Sequence, residues 1–293
     1  MKRTQPSGQW QGWLYVAPAL IFVGVFVLIP LCQLVAMSTT DRSLLGGGRF
    51  IGLGNYTKIW NDAGFWRALM FTVKYTIVLT PILMVLGFAL ALLTADKTPL
   101  KRLTRTIVFL PVVIGLSSSS LLWFWLFDEQ VGLLNKLMTD LRVIAQPMVW
   151  FVSADLAFWA VVISITWKVL GFGMVLFIAS IQSIDREIME AAVVDGAGYW
   201  IRVFRIVLPL SRRIILLTTL VSAIGSMLAF DQFYIMTSGG PRGQTFTAVY
   251  WIYQNSFVSF KLGYGAALSI VLTLIILVFS TLQIALTARS EAR

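Results

Sequence analysis

Apolar positions in this chain come in long unbroken runs rather than in the stripes or alternations of a soluble fold. The stretches 14–37, 75–95, 106–127 and 262–288 contain no charged residue. Two more, 156–184 and 214–236, are interrupted once each, by Lys168 and by Asp231. A helix crosses the hydrocarbon core with about 20 apolar residues. The pattern therefore predicts an all-α, polytopic membrane protein with six spans, near 14–37, 70–95, 106–127, 156–182, 214–236 and 262–288. It reads as a single transmembrane domain over 1–293 with one long polar connection, 183–213. The first run is too long for a cleaved signal peptide and lacks a small-residue cleavage site, so it is expected to be retained.

The polar segments between the runs set the orientation. Basic residues collect on the cytoplasmic side of membrane proteins. The termini, the 96–105 loop and the 183–213 loop hold Lys2, Arg3, Lys97, Lys101, Arg102, Arg105, Arg186, Arg202, Arg205, Arg212, Arg213, Arg289 and Arg293, 13 in all. The alternate set holds 8: Arg42, Arg49, Lys58, Arg67, Lys136, Arg142, Arg242 and Lys261. Both termini are expected inside. Trp60 and Trp66 flank the second run, where interfacial aromatics belong.

Composition agrees with lipid as the solvent. The chain of 293 residues is 58% hydrophobic and 12% charged, against roughly 25% charged in soluble domains. Its formal charge of +10 follows from topology and needs no nucleic acid as partner. The chain has no histidine and one cysteine, Cys32, inside an apolar run. An intrachain disulfide and histidine-dependent nucleophilic catalysis are excluded, and no metal-ligand cluster is visible. There is no GxxxxGK loop to cradle a nucleotide phosphate. Charge inside a span is costly, so Lys168 and Asp231 are functional candidates. They also have opposite signs and could pair. A membrane-embedded enzyme would need a polar catalytic cluster, and none is found; a scaffold would need neither buried charge.

The segment 185–198 is the most informative. Asp185 and Glu187 fall where a new helix would begin, suiting its dipole. Ile188, Ala191, Ala192 and Asp195 keep helical spacing, and Gly196 and Gly198 are expected to end the helix. A second amphipathic stretch, 199–207, carries Arg202 and Arg205, and Pro209 is expected to break it. The small Ala191 and Ala192 beside Glu190 would leave a shallow patch suited to a docking partner. An ordinary polar connection would have the same spacing.

The pattern Glu190-Ala191-Ala192, Asp195-Gly196-Ala197, then Phe204, Ile206, Leu208 and Pro209 resembles the EAA loop of importer-type ABC transporter permeases. Ala17-Pro18-Ala19, Gly52-Leu53-Gly54-Asn55-Tyr56, Phe230-Asp231 and Thr237-Ser238-Gly239-Gly240-Pro241 look like the carbohydrate-uptake subfamily. Within it, the Gly-Gly-Pro element resembles the first permease of maltose, lactose and glycerol-phosphate systems. Phe71-Thr72 departs from the Asn-Thr of many relatives, with consequences expected only for local contacts. The resemblance implies a type I importer permease with a cytoplasmic coupling helix, in a bacterial inner membrane. It would be paired with a second permease, two ATPase subunits that carry ATP and magnesium, and a periplasmic solute-binding protein. The chain itself would hold no cofactor and catalyse nothing. Glu190, Ala191, Ala192, Asp195 and Gly196 would couple to an ATPase. Trp167, Lys168, Phe172, Asp231 and Gln232 would line the path of a sugar or sugar derivative. A polyol or phosphodiester is the alternative cargo.

Overall fold

In lipid, each backbone N–H and C=O must be satisfied within its own segment, so an apolar run folds as a helix. The computed structural model describes residues 8–96 and 98–291. Lys2, Arg3, Lys97 and Arg293 of the orientation count lie outside the described residues. α1 (Gly8–Val23) passes through a π-helical turn, Gly24–Leu28, into α2 (Ile29–Ser38). α3 (Gly54–Trp60), α4 (Ala63–Thr94), α5 (Pro99–Val113), α6 (Leu116–Leu126), α7 (Leu133–Asp140) and α8 (Ala154–Gln182) follow. Next come α9 (Arg186–Val194), α10 (Tyr199–Arg202), a π turn at Val203–Val207, α11 (Leu208–Leu210), α12 (Arg212–Met227) and α13 (Asp231–Met236). α14 (Ala248–Tyr253), a third π turn at Gln254–Val258 and α15 (Leu262–Glu291) complete the chain. Among the described residues, β pairing is confined to the isolated bridges Thr40–Phe50 and Ser43–Gly46.

Four continuous helical stretches are long and apolar enough to cross a membrane: Trp13–Ser38, Ala63–Thr94, Ala154–Gln182 and Leu262–Ala285. Two bent pairs bring the number to six if each is one span. α5 with α6 turns through 103°, and Tyr199–Leu210 with α12 turns through 69°. One helix start and two internal breaks depart from six straight runs. α4 starts at Ala63 rather than near 70, because Phe65, Ala68 and Leu69 are buried while Arg67 stays on the exposed side. The third run is not straight; it breaks at Ile114–Gly115. The fifth stops being helical at Met227 and resumes at Asp231.

The chain divides into two compact units. One comprises the residues up to Asp62 with Ile252–Leu274. Its first span exposes apolar side chains along nearly its whole length. The Gly-Leu-Gly-Asn-Tyr segment acts as a clasp here. Asn55 is buried and its Nδ2 donates to the Ser38 and Thr40 carbonyls, both at 2.8 Å. The hydroxyls of Ser38 and Tyr56 stand 2.8 Å apart. The Tyr264 hydroxyl donates to Asp62 Oδ2 at 2.6 Å.

The other unit, Ala63–Trp251 with Ile275–Arg293, packs α4, α5 and α12 around α8. Its centre is an aromatic cluster. Phe71, Tyr75, Phe158 and Phe233 meet edge to face with centroids 5.0 to 6.2 Å apart, a favoured arrangement for aromatic rings. Phe71, beside Thr72 on α4, is part of this cluster. Thr72 Oγ1 donates to the Ala68 carbonyl and accepts the Ala248 N–H at 2.8 Å. The Gly-Gly-Pro loop is tied by the buried hydroxyls of Thr237 and Thr245, 2.8 Å apart.

Candidate functional site

The two broken helices of this second unit meet. Irregular backbone at membrane depth is tolerated only where it is buried in protein or lines a cavity. At the first break α5 ends on Val113, and Ile114 and Gly115 are extended. At the second, Phe230 leaves the helical region with φ −139° and ψ −64°, and α13 starts on Asp231. α6 and α13 pack together. Ser117, in the first turn of α6, donates its hydroxyl to Asp231 Oδ1 at 2.9 Å. Asp231 is half-buried, and an acidic residue in a first helical turn suits the dipole.

The other residues expected along a solute path lie around these breaks, with different roles. Gln232, 4% exposed, extends Nε2 towards the Tyr75 hydroxyl at 3.4 Å. Its Oε1 is buried and has no hydrogen-bond partner. Gln232 and Phe172 line one cleft of about 340 Å³, with Tyr75, Leu116, Ser222 and Ser226. This cleft is largely apolar, with the Tyr75–Gln232 pair and the two serines as its polar part. Trp167 and Lys168 are not in its lining. Trp167 packs edge-on against Trp123 of α6, centroids 5.6 Å apart. Lys168 does not pair with Asp231; its Nζ donates to the Val112 carbonyl at 2.9 Å.

The connection between α8 and α12 forms the second candidate site. α9 spans the Glu-Ala-Ala triplet, with Glu190 and Ala191 exposed and Ala192 buried. The expected two-alanine surface is therefore Ala191 alone, because residues adjacent in a helix point about 100° apart. Asp195 caps the C-terminus, and Gly196 follows at φ +77°. The Gly196 N–H bonds the Val193 carbonyl at 3.0 Å, and the Ala197 N–H bonds the Ala192 carbonyl at 2.8 Å. These two bonds form a Schellman ending. Gly198 does not help end the helix: at φ −61° and ψ 166° it precedes α10 as its N-cap. Pro209 lies next to last in the continuous helix Tyr199–Leu210, and the 69° bend follows it at Ser211.

Glu190 faces an open cleft of about 1020 Å³ whose lining includes Ala95, Asp96, Gln182, Arg186 and Arg202. Gln182, ending α8, donates to the Ala95 carbonyl at 2.7 Å. Arg105 of α5 donates to the carbonyls of Thr94 and Asp96. The turn after α4 is thus held by both α5 and α8.

Ser117, Tyr75 and the Val112 carbonyl were not singled out from the sequence. The run Gly115-Leu116-Ser117-Ser118-Ser119-Ser120, four residues after Pro111, is the signal that marks the first break. Tyr75 carries no such signal, since its place beside Gln232 is purely tertiary.

The profile of the family described as binding-protein-dependent transport system inner membrane component matches residues 64–292. The lactose transport system permease protein of Rhizobium radiobacter is 36% identical, over 93% of this chain and 92% of its own. A probable starch degradation products transport system permease protein of Thermoanaerobacterium thermosulfurigenes is 31% identical, over 97% and 96%. The fold matches a chain of a crystal structure of a bacterial alginate ABC transporter in complex with an alginate-bound periplasmic protein. The TM-score is 0.84 over 96% of this chain and 94% of that one, at 19% identity. This chain belongs to the binding-protein-dependent inner membrane component family. It is a permease subunit of an ABC importer.

Proposed function

We propose that this chain is one of two permeases through which an ATP-driven importer moves a sugar or sugar derivative. The observation that carries the reading is the meeting of two broken helices through Ser117 and Asp231, beside a cleft with an unpartnered Gln232 oxygen. A hydroxylated solute supplies the donors such a site lacks, and Phe172 brings an aromatic face to the cleft, with Trp167 packed against Trp123. Lys168 belongs to the same wall. Relatives named for lactose and starch products support a carbohydrate cargo. A periplasmic solute-binding protein delivers it. Two ATPase subunits bind ATP and magnesium, and this chain takes no part in hydrolysis. Glu190, Ala191, Asp195 and Gly196 form the surface an ATPase grips, with Ala192 holding α9 to its own chain. Both termini lie in the cytoplasm.

The test is uptake by the transporter reconstituted in proteoliposomes with its partner subunits and binding protein. A panel of radiolabelled mono- and disaccharides, lactose and maltose included, is offered with internal ATP. At least one sugar is expected to accumulate. Asp231→Ala is expected to cut that uptake tenfold or more while the ATPase still co-purifies. Uptake at the wild-type rate in this variant removes Asp231 from the path, and failure with every sugar removes the carbohydrate reading.

A further inference from the structure

A helix that ends inside a membrane leaves its last carbonyls without donors from its own backbone. α5 ends in this way at Val113. The Ile114 N–H reaches back to the Pro111 carbonyl at 3.2 Å. The Val112 carbonyl takes its donor from another helix, the Lys168 ammonium of α8 at 2.9 Å. Lys168 is 6% exposed, and among the described residues no carboxylate pairs with it. A buried ammonium is costly unless it is bonded. A helix C-terminus is a favourable place for it, because the dipole and the free carbonyls are both negative there.

The next turn of α8 explains how the elbow comes to rest on Lys168. Residues three apart share a helix face, and three residues on is Gly171. A Cβ at Gly171 would overlap the Val108 carbonyl oxygen and stand 2.7 Å from Phe109 Cα. The α5 backbone therefore lies directly on α8 at Gly171, and its end is held one turn earlier by Lys168. Beyond the elbow, α6 presents Ser117 to Asp231. Trp123 of α6 packs on Trp167, the neighbour of Lys168.

We propose that Lys168 is a positioning residue: it caps α5 from outside the helix, fixes the α5–α6 elbow, and so presents Ser117 to Asp231. It holds the wall of the path and does not bind the solute. The functional weight of this role rests on Asp231 lying in the solute path, as read above; the elbow itself does not. Without the ammonium, the Val112 carbonyl is unpaired in apolar surroundings. The elbow then frays, α6 reorients, and the Ser117 hydroxyl leaves the carboxylate. The dependence has a direction. Loss of Lys168 disturbs both the elbow and α13, whereas loss of the Ser117 hydroxyl disturbs α13 alone.

Amide hydrogen exchange on the complete transporter in lipid nanodiscs, with no solute added, reads that direction. In Lys168→Met, exchange is expected to rise tenfold or more over both 112–118 and 231–236, and to stay at the wild-type rate in α9. In Ser117→Ala it is expected to rise over 231–236 only. Lys168→Arg, which keeps a charged donor, is expected to stay within about threefold of wild type throughout. Unchanged exchange at 112–118 in Lys168→Met overturns the proposal, and so does a rise spread over every helix. If Lys168→Met does not accumulate, Lys168→Leu, which also lacks a donor, carries the test: faster exchange at 112–118 supports the cap, and exchange there at the wild-type rate overturns it. Because no solute is present, failure of the carbohydrate reading leaves this result standing and separately readable.

Discussion

Gly196 is required for its backbone angle and not for space. Its φ is +77°, and a Cβ placed on it would meet nothing within 4 Å. An L side chain in this region costs roughly 1–2 kcal/mol, and asparagine tolerates it best. Gly196→Asn is therefore expected to keep most of the uptake, and Gly196→Ala to reduce it modestly. Gly196→Pro goes further, because proline fixes φ near −65° and removes the N–H that bonds the Val193 carbonyl. That variant is expected to lose at least tenfold in uptake while still inserting in the membrane. Uptake in proteoliposomes, with ATPase co-purification as the control, measures all three. Equal uptake in Gly196→Asn and Gly196→Pro would show that the turn has no part in coupling. The sequence marked this residue because a glycine after an amphipathic stretch has few other uses. It did not mark which alanine of the triplet faces out, since Ala191 and Ala192 are chemically the same and differ only in what packs behind them.

At the scale of elements, α8 is the axis of the second unit, and its glycines decide which helices approach it. Gly171 lets the backbone of α5 touch α8, whereas a Cβ on Gly173 would lie 3.7 Å from a methyl of Thr218, an ordinary contact. Two glycines two residues apart should thus behave oppositely. Gly171→Ala forces a backbone to move and is expected to cost about 1–3 kcal/mol, the usual penalty for overpacking. Gly173→Ala is expected to be neutral or slightly stabilising, as glycine in a helix interior is inferior to alanine. Thermal unfolding of the purified chain in one detergent separates them: a lower Tm for the first, an unchanged or higher Tm for the second. Equal Tm values would sink the close approach of α5. Hydropathy made the spans legible, because twenty apolar residues have one use. It hid the elbow of α5 and the break before Asp231, because both lie in runs whose average stays apolar. What marks a break is the partner that satisfies it, and Lys168 lies 56 residues from Val112. Lys168 and Asp231 could be recognised as unusual from the sequence. That they would not pair with each other was decided by packing.

For the whole molecule, the orientation of both termini depends on whether the elbow crosses the membrane. Four continuous helical stretches are long and apolar enough to cross, and the two bent pairs bring the number to six if each is one span. An even number places the termini on one side. If the α5–α6 pair instead returned to the face it entered from, the crossings would be odd and the termini would separate. The basic residues argue for the even number. The 96–105 turn carries Lys97, Lys101, Arg102 and Arg105, and short loops report orientation best. Structural partners do not remove them from that count: Lys101 pairs with Asp96, and Arg105 binds the carbonyls of Thr94 and Asp96 from the same turn. With the elbow crossing, the 183–213 segment is expected on the same side, two crossings further on. Fusions at three points test the arrangement. Alkaline phosphatase, active only outside, is expected to be inactive after Arg293 and in the 96–105 turn, and active in the glycine stretch 46–48. A fluorescent protein after Arg293 is expected to be bright. Phosphatase activity after Arg293, with an inactive fusion retained at 96–105, would mean an odd number of crossings beyond that turn. The elbow held by Lys168 would then be a re-entrant loop rather than a bent span.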